Sequence, residues 1–323
     1  PWDVGLGGWQ TGNFPDRFSE WNDRYRDDVR RFWLSDVAAA RNSGKHWNGV
    51  AELATRLSGS RDIVDGPSGP LGSVNFITAH DGFCLKDLVS YDVKHNQMNG
   101  ESNRDGTNGN HSFNHGFEGS GSTPEIAAQR RKAARNLMAT LLFSSGIPMV
   151  TAGDERLKTQ NGNNNAYCQD TVMSWVNWEL SRHQRDFEET FAHLTKLRRE
   201  NPVLRPKTFG DFNEANEDHD MIRWFNSQGD IMGEENWHDS ECRTIQRYSE
   251  RLESDGSRSA ILLLIHGAEK VQEVTLPSQD GVLRYELLWN SAFDQPNEEI
   301  ETVLPGAKTL VSGTSIQVFR CNF

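Results

Sequence analysis

The sequence predicts an α/β fold, parallel strands joined by helices over its first two hundred residues, followed by an antiparallel β-domain of the sandwich kind. Three observations carry this prediction. Helix and strand patterns alternate up to about residue 205, an order that calls for parallel strands with helical crossovers. After about Gly210, short strand-like runs follow one another, and no helix pattern of comparable quality appears. The segment after one of the early strands is far longer and more polar than the ~2–6 residues of an ordinary strand-to-helix connection.

Taken in order, the first helix is read over 23–34, where Tyr25, Val29, Phe32 and Trp33 fall at i, i+4, i+7 and i+8 as one apolar stripe on a charged rod. A loop rich in Gly, Ser, Asp and Pro (58–72) leads to an apolar run at 74–79. That run reads as a buried strand running out into His80-Asp81-Gly82. A second helix starts at Thr123 as N-cap, with Pro124 at the first helical position and Glu125 beside the dipole. It reaches about Phe143, carries Ala134, Leu137, Met138, Leu141 and Leu142 on one side, and has Gly146 as its stop. Residues 147–152 read as a strand ending in Gly153-Asp154-Glu155. A third helix, 187–200, carries Phe187, Phe191, Leu194 and Leu197, and Asn201-Pro202 ends it. Further strands are read at 221–225, 260–266, 271–276, 284–289, 300–304 and 315–320, which divides the chain into domains 1–209 and 210–323.

Charge and composition exclude several function classes. The 323 residues hold 34 Lys+Arg and 46 Asp+Glu, a net charge of −12, which argues against nucleic acid or an anionic membrane as partner. No apolar stretch approaches the ~18 residues of a membrane helix, and no charged start with an apolar core marks a signal peptide. Cys84, Cys168, Cys242 and Cys321 are widely spaced with no CxxC, which suits a reducing compartment and predicts a cytoplasmic location. The chain begins with Pro1 and not Met, so it is read as processed or as a piece of a longer one. Ten tryptophans against five tyrosines offer flat platforms for sugar faces, with core packing as the competing role.

The long loop, 82–122, is dense in polar groups: His95, Asn96, Asn99, Glu101, Asn103, Arg104, Asp105, Asn110, His111, Asn114, His115 and Glu118 among them. The strand at 147–152 likewise runs into carboxylates and the amide-rich segment 160–170. Two neighbouring strand ends that point polar groups the same way mark a site. Carboxylates, imidazoles and amides with tryptophans nearby suit carbohydrate, whose hydroxyls and C–H faces they complement. Glycoside hydrolysis needs two carboxylates around an oxocarbenium-like transition state, and Asp81 at its strand tip is a candidate participant; Asp-Gly is also a common turn. There is no GxxxxGK[ST], no strand-to-helix GxGxxG, no GxSxG and no HExxH. His111 and His115 stand four apart, but in a Gly/Asn-rich stretch where no helix face is expected. Neither a metal nor a cofactor is therefore predicted.

Five segments together resemble the isoamylase and glycogen-debranching branch of the α-amylase superfamily, glycoside hydrolase family 13. They are Pro1-Trp2-Asp3-Val4-Gly5, Glu20-Trp21-Asn22-Asp23-Arg24-Tyr25-Arg26-Asp27, Asn75-Phe76-Ile77-Thr78-Ala79-His80-Asp81-Gly82, Asn99-Gly100-Glu101-Ser102-Asn103-Arg104-Asp105-Gly106 and Gly162-Asn163-Asn164-Asn165-Ala166-Tyr167-Cys168-Gln169-Asp170. The resemblance runs in order from Pro1 to about Arg205 and more weakly beyond. It implies a partial (β/α)8 barrel, about the last three β/α units, followed by the β-domain. It also implies hydrolysis of α-1,6 branch points of glycogen or related α-glucans with retention of configuration.

By position Asp81 matches the family's third catalytic carboxylate, which stabilises the transition state, and His80 the substrate-binding histidine beside it. Trp2, Asn103, Arg104 and Asp105 are expected along the same side of the glucan cleft. Arg104 is given two roles, holding a site carboxylate ionised or bracing the loop through Asp105 or Glu101. The family's acid/base Glu directly precedes the Pro-Trp pair, and its nucleophile Asp lies on an earlier strand. Both are expected to be absent here, which makes the chain alone inactive. The alternatives are a non-catalytic glucan-binding or split-subunit piece, separable by the coding sequence upstream of Pro1, and a glucanotransferase sibling.

Overall fold

The computed structural model describes residues 8, 10–15, 17–216, 220–296 and 301–323. Three short strands, β1 (Glu20–Asn22), β2 (Ser73–Phe76) and β3 (Ile147–Met149), pair in parallel in that order, with Trp21 opposite Val74 and Val74 opposite Ile147. Helices fill the connections, as parallel pairing requires. Between β1 and β2 lie α1 (Asp23–Arg30), α2 (Asp36–Ser43) and α3 (Ala51–Leu57). Between β2 and β3 lie α4 (Leu85–Leu88) and α5 (Pro124–Phe143), and α6 (Arg182–Glu200) follows β3. Among the described residues β1 and β3 each have one neighbour, and Trp21 and Ile147 on these edges are each 37% exposed.

The first helix starts where the sequence places it, with the Asn22 side chain accepting from the Tyr25 amide, but it does not stop at residue 34. A π turn, Arg31–Ser35, joins α1 to α2, and the rod ends only at Gly44 in a left-handed cap (φ 74°). The wider turn buries Phe32, Trp33 and Leu34 consecutively. In α5, Thr123 caps the Ile126 amide as expected. By contrast α6 begins five residues before the predicted start, on a capping box in which Ser181 and Gln184 satisfy each other's orphan amides. Its first turn, Arg182–Arg185, shows no apolar stripe, so periodicity alone misses it.

The remainder contains β4 (Met221–Phe225), the short α7 (Glu234–His238), β5 (Thr244–Leu252), β6 (Arg258–His266), β7 (Gln272–Thr275), β8 (Arg284–Asn290), β9 (Thr302–Val303), β10 (Lys308–Val311) and β11 (Ser315–Asn322). Six strands form an antiparallel sheet in the order β4-β5-β6-β11-β8-β9, and β7 pairs with β10 separately. Of the strand expected at 300–304, Ile300 lies outside the described residues and β9 holds Thr302 and Val303.

Strand parity sorts this sheet between two cores. Ile261, Leu263 and Ile265 of β6 face the helices, while Ala260, Leu262 and Leu264 face Val274, Leu276 and Val311 around the β7–β10 pair. A sheet covered on both faces explains the unbroken apolar run at 260–265. Pairing of β11 with β8 skips Leu288, since Val318 faces Trp289 and Phe319 faces Leu287. The extra residue turns Trp289 to the helix side, away from Tyr285 and Leu287.

The helix α5 joins these parts. Its Arg131 and Arg135 hold Asp294, whose carboxyl they pull down to about 2 against the effect of partial burial. Lys132 and Asn136 donate to the Gly313 and Thr314 carbonyls. At its far end Arg198 of α6, itself buried, donates to the carbonyls of Leu142, Ser144, Gly146 and Leu204. Arg247 of β5 reaches the Phe143 carbonyl at 3.1 Å and Ser145 Oγ at 3.2 Å. Arg198→Met removes the donor from four carbonyls at once, and a loss of about 3 kcal/mol in urea unfolding is expected; a loss below ~1 kcal/mol would show that the cap is dispensable.

Candidate functional site

Because the three strands are parallel, the segments that leave their C-terminal ends gather at one edge of the sheet. Beyond β2 the chain stays buried through Ile77 and Thr78 and then surfaces at His80 and Asp81. Beyond β3, Asp154 turns back into the interior: the Thr78 hydroxyl and the Leu85 amide (2.9 Å) both donate to it. Burial pushes its carboxyl up to about 6 despite these bonds. Asp87 of α4, also buried and raised by burial, accepts from Thr159 Oγ1 (2.5 Å) and from the amides of Gln160 (2.8 Å) and Gly162 (3.1 Å). Both carboxylates act as clamps between the two loops.

The forty-residue loop is ordered by side chains that serve main-chain groups. Lys94 Nζ donates to the carbonyls of Arg104, Asp105 and Gly106 at 3.3, 2.8 and 3.0 Å. Arg130 of α5 gathers the carbonyls of Asn114, Phe117 and Gly119. Glu118 accepts from the amides of Asp92 and Val93 and from His95 and Asn114. Buried Asn96 and Asn164 exchange bonds in both directions, Asn96 Nδ2 to Asn164 Oδ1 at 2.9 Å and the Asn164 amide to Asn96 Oδ1 at 3.0 Å. An amide group donates and accepts at once, which is why asparagine closes such a seam without burying charge. Gly106 (φ 71°) sits against this pair; a Cβ there would lie 2.3 Å from Asn164 Oδ1.

The expected site residues fall into two groups. His80 and Asp81 are exposed side by side, and the His80 ring lies 5.9 Å from that of Trp21, with which Phe76 also packs at 5.7 Å. Beneath them Arg30 is buried, donating to the Ile77 carbonyl at 2.8 Å and the Asn110 carbonyl at 3.2 Å. Burial, and then Arg26, lower it to about 9, against the opposing fields of Asp27, Asp154 and Asp81. Asn103 and Asp105 are turned into the loop instead. Asn103 accepts from the Asn96 amide (2.7 Å) and donates to the Lys94 carbonyl (3.1 Å). Asp105 accepts from Asn99 (2.7 Å), Asn165 (3.0 Å) and Asn96 (3.3 Å), and the first of these leads in lowering its pKa. Of the two roles given to Arg104, the bond present is a brace: its Nε donates to the Glu101 main-chain carbonyl at 3.2 Å. Trp2 lies outside the described residues.

The Gly82 amide donates to the Asn164 carbonyl (2.9 Å), so the braced loops and the His80–Asp81 pair form one unit. Among all carboxylates between residues 77 and 181, only Asp81 and Glu179 accept no hydrogen bond from a described residue; Asp81 lies in the fields of Arg26 and Arg30 without bonding to either, and Glu179 belongs to the approach to α6. Sequence reasoning missed Arg30, which looks like one more surface charge of the rod, and Trp21, which lies within a matched motif. Among the described residues no three His, Cys, Asp or Glu side chains converge as metal ligands. All four cysteines are free, and no helix of the described residues is long and apolar enough to cross a membrane.

No protein-family model matches the chain. Curated relatives do. The glycogen debranching enzyme of Cronobacter sakazakii is 42% identical over 279 residues, 86% of this chain and 38% of its own length. That of Serratia proteamaculans is 38% identical over 94% of this chain and 41% of its own length. The glycogen operon protein GlgX homolog of Mycobacterium tuberculosis is 37% identical over 99% and 44% respectively. The chain thus spans about two-fifths of the length of the relatives it matches. Among solved structures, pullulanase from Bacillus acidopullulyticus aligns with 94% of this chain and 30% of its own (TM-score 0.63, 18% identity). The catalytic module of the pneumococcal glycogen-degrading virulence factor SpuA aligns with 95% and 44% (TM-score 0.61, 14% identity). At such identities these two speak for the α/β fold.

The raised pKa of Asp154 has a consequence with a definite sign. Between about pH 4 and pH 6 the native state holds a proton that the unfolded chain has released, so stability falls as pH rises through this window. Asp154→Asn keeps an acceptor for Leu85 and cannot ionise. Urea midpoints compared at about pH 4 and pH 7 should fall less for the variant than for the parent; equal falls would place the titration elsewhere.

Proposed function

We propose a function from one premise: over most of its length this chain is homologous to glycogen debranching enzymes of the α-amylase superfamily. The chain forms the part of a debranching glycoside hydrolase that carries His80–Asp81, and its substrates are α-1,6 branch linkages of glycogen or related α-glucans. The three parallel strands with their helices are read as the last β/α units of a (β/α)8 barrel over 1–209, and 210–323 as the β-domain. The observation that supports this reading best is the exposed Asp81 carboxylate, left open at the strand ends where its neighbours are engaged.

The chemistry follows from that position. An ionised carboxylate beside the reacting sugar holds hydroxyls whose geometry changes as the ring flattens, and it offsets the positive charge that develops. His80 and the Trp21 ring beside it present a donor and an apolar face to the same sugar. Arg30 fixes the Ile77 carbonyl beneath, so the chain leaves β2 at a set angle and the carboxylate does not wander.

The motif correspondence assigns Asp81 alone of the family's three carboxylates to this chain. With glycogen or pullulan, the 323-residue chain is accordingly expected to release no reducing ends above blank; turnover that Asp81→Asn abolishes would overturn this. In a chimaera carrying the preceding part of the Cronobacter relative, Asp81→Asn should lower kcat by several orders of magnitude and leave glucan binding nearly unchanged. If the variant lost binding and kept kcat, Asp81 would be an ordinary substrate anchor.

A further inference from the structure

A groove of about 380 Å3 separates α3 from the strand β4 and the helix α7, within the range of ~300–1,000 Å3 typical of small-ligand sites. One wall is Trp224 and Trp237, whose rings stand 6.1 Å apart at 81°, both half-buried. Facing them are Ala51, Thr55, Ser58 and Arg61. It is not part of the His80–Asp81 surface. The end of α3 that carries Ser58 is tied to the start of β3, where the Ser145 amide donates to the Leu57 carbonyl at 3.0 Å. That is the opposite edge of the parallel sheet from the strand ends that hold Asp81.

We propose that this groove is a second α-glucan-binding site, which anchors the protein to outer chains of the polymer. The claim rests on the debranching reading for its choice of polymer and on the groove for its chemistry. No carboxylate lines it, and its one cation, Arg61, is paired with Asp65 at 2.9 Å, so the lining offers no strong charge of either sign and suits a neutral ligand. Neither indole N–H donates to any described residue, and the Ser58 hydroxyl has no described partner, so polar groups stand ready beside apolar ring faces. That pairing suits a pyranose, with its C–H faces and rim of hydroxyls. Two rings near a right angle form a corner that receives the bent path of an α-linked chain, where a flat platform would favour a straight one. On a branched polymer with many chain ends, even a weak second contact raises retention through effective concentration.

The test is native electrophoresis of the 323-residue chain in gels containing glycogen, with dextran gels as control and maltoheptaose titrated by tryptophan fluorescence. Trp237→Ala is expected to weaken glycogen retention about tenfold, and Leu310→Ala, an exposed apolar residue of β10 outside the groove, to leave it unchanged. Ala51→Leu narrows the groove from the opposite wall and keeps both indoles; it should give the same loss with an unchanged melting temperature. The inference is overturned if glycogen does not retard the parent chain, if dextran retards it equally, or if both groove variants are retarded like the parent. Branch cleavage by the chimaera is read separately, so a groove that fails leaves the debranching reading standing, and an inactive chimaera with intact retention does the reverse.

Discussion

Buried main-chain carbonyls must find donors, and meeting that demand around α5 holds the molecule together. The helix is twenty residues long and buried over most of its second half, so carbonyls at its C-terminal end face protein instead of water. Arg198 and Arg247 satisfy them from two different layers, the flanking helix and the sheet. On its other flank Trp33 donates to Thr140 Oγ1 at 2.9 Å, and Tyr25 to the Thr140 carbonyl at 3.1 Å. The α1–α2 rod adds a second tie, through Arg243 paired with Asp36 at 2.8 Å and Arg30 on the Asn110 carbonyl, but α5 carries the larger share of the buried carbonyl bonds.

The same device orders the candidate site. Lys94 and Arg130 gather carbonyls of a loop that has almost no regular structure, much as Arg198 does at a helix end. A guanidinium presents five donors in a fixed fork and an ammonium three, so one side chain can replace several ladder bonds. The cost is visible in Arg130 and Arg198, both lowered by burial, Arg198 to about 10. These residues remain charged near neutrality, and the bonds that shape the loop all come from the protein itself.

What the sequence made legible was whatever rests on local pattern. The start of α1, the cap of α5, the strands at 221–225 and 284–289, and the polar gathering at the strand ends all come from spacing and turn chemistry. The strand β5 was not read, because Gln246, Arg247 and Ser249 break its alternation; Gln246 and Arg247 are buried because distant carbonyls and a hydroxyl receive them. β10 was also unread: its Leu310 is exposed and only Val311 is fully buried, too little apolar contrast to mark a strand. Nor was the π turn foreseen, since a period of 3.6 has no place for three consecutive buried residues. For the site, the resemblance singled out His80 and Asp81, and the structure exposes both at the end of β2. That Asn103 and Asp105 face inward depends on Asn96, Asn99 and Asn165 across the seam, and a single sequence does not reveal such pairings.

The site thereby separates two uses of a carboxylate. Asp87, Asp105, Glu118 and Asp154 each accept two or more protein donors, so their oxygens are committed to holding loops in register. A group so committed can stabilise a transition state only by giving up bonds that shape the site. Asp81 carries no such commitment among the described residues, and it lies directly before Gly82, whose amide is tied to Asn164. Its main chain is held and its carboxylate is open. On the proposed reading, that combination would let Asp81 gain hydrogen bonds as substrate charge develops, without the backbone rearrangement that would consume the gain.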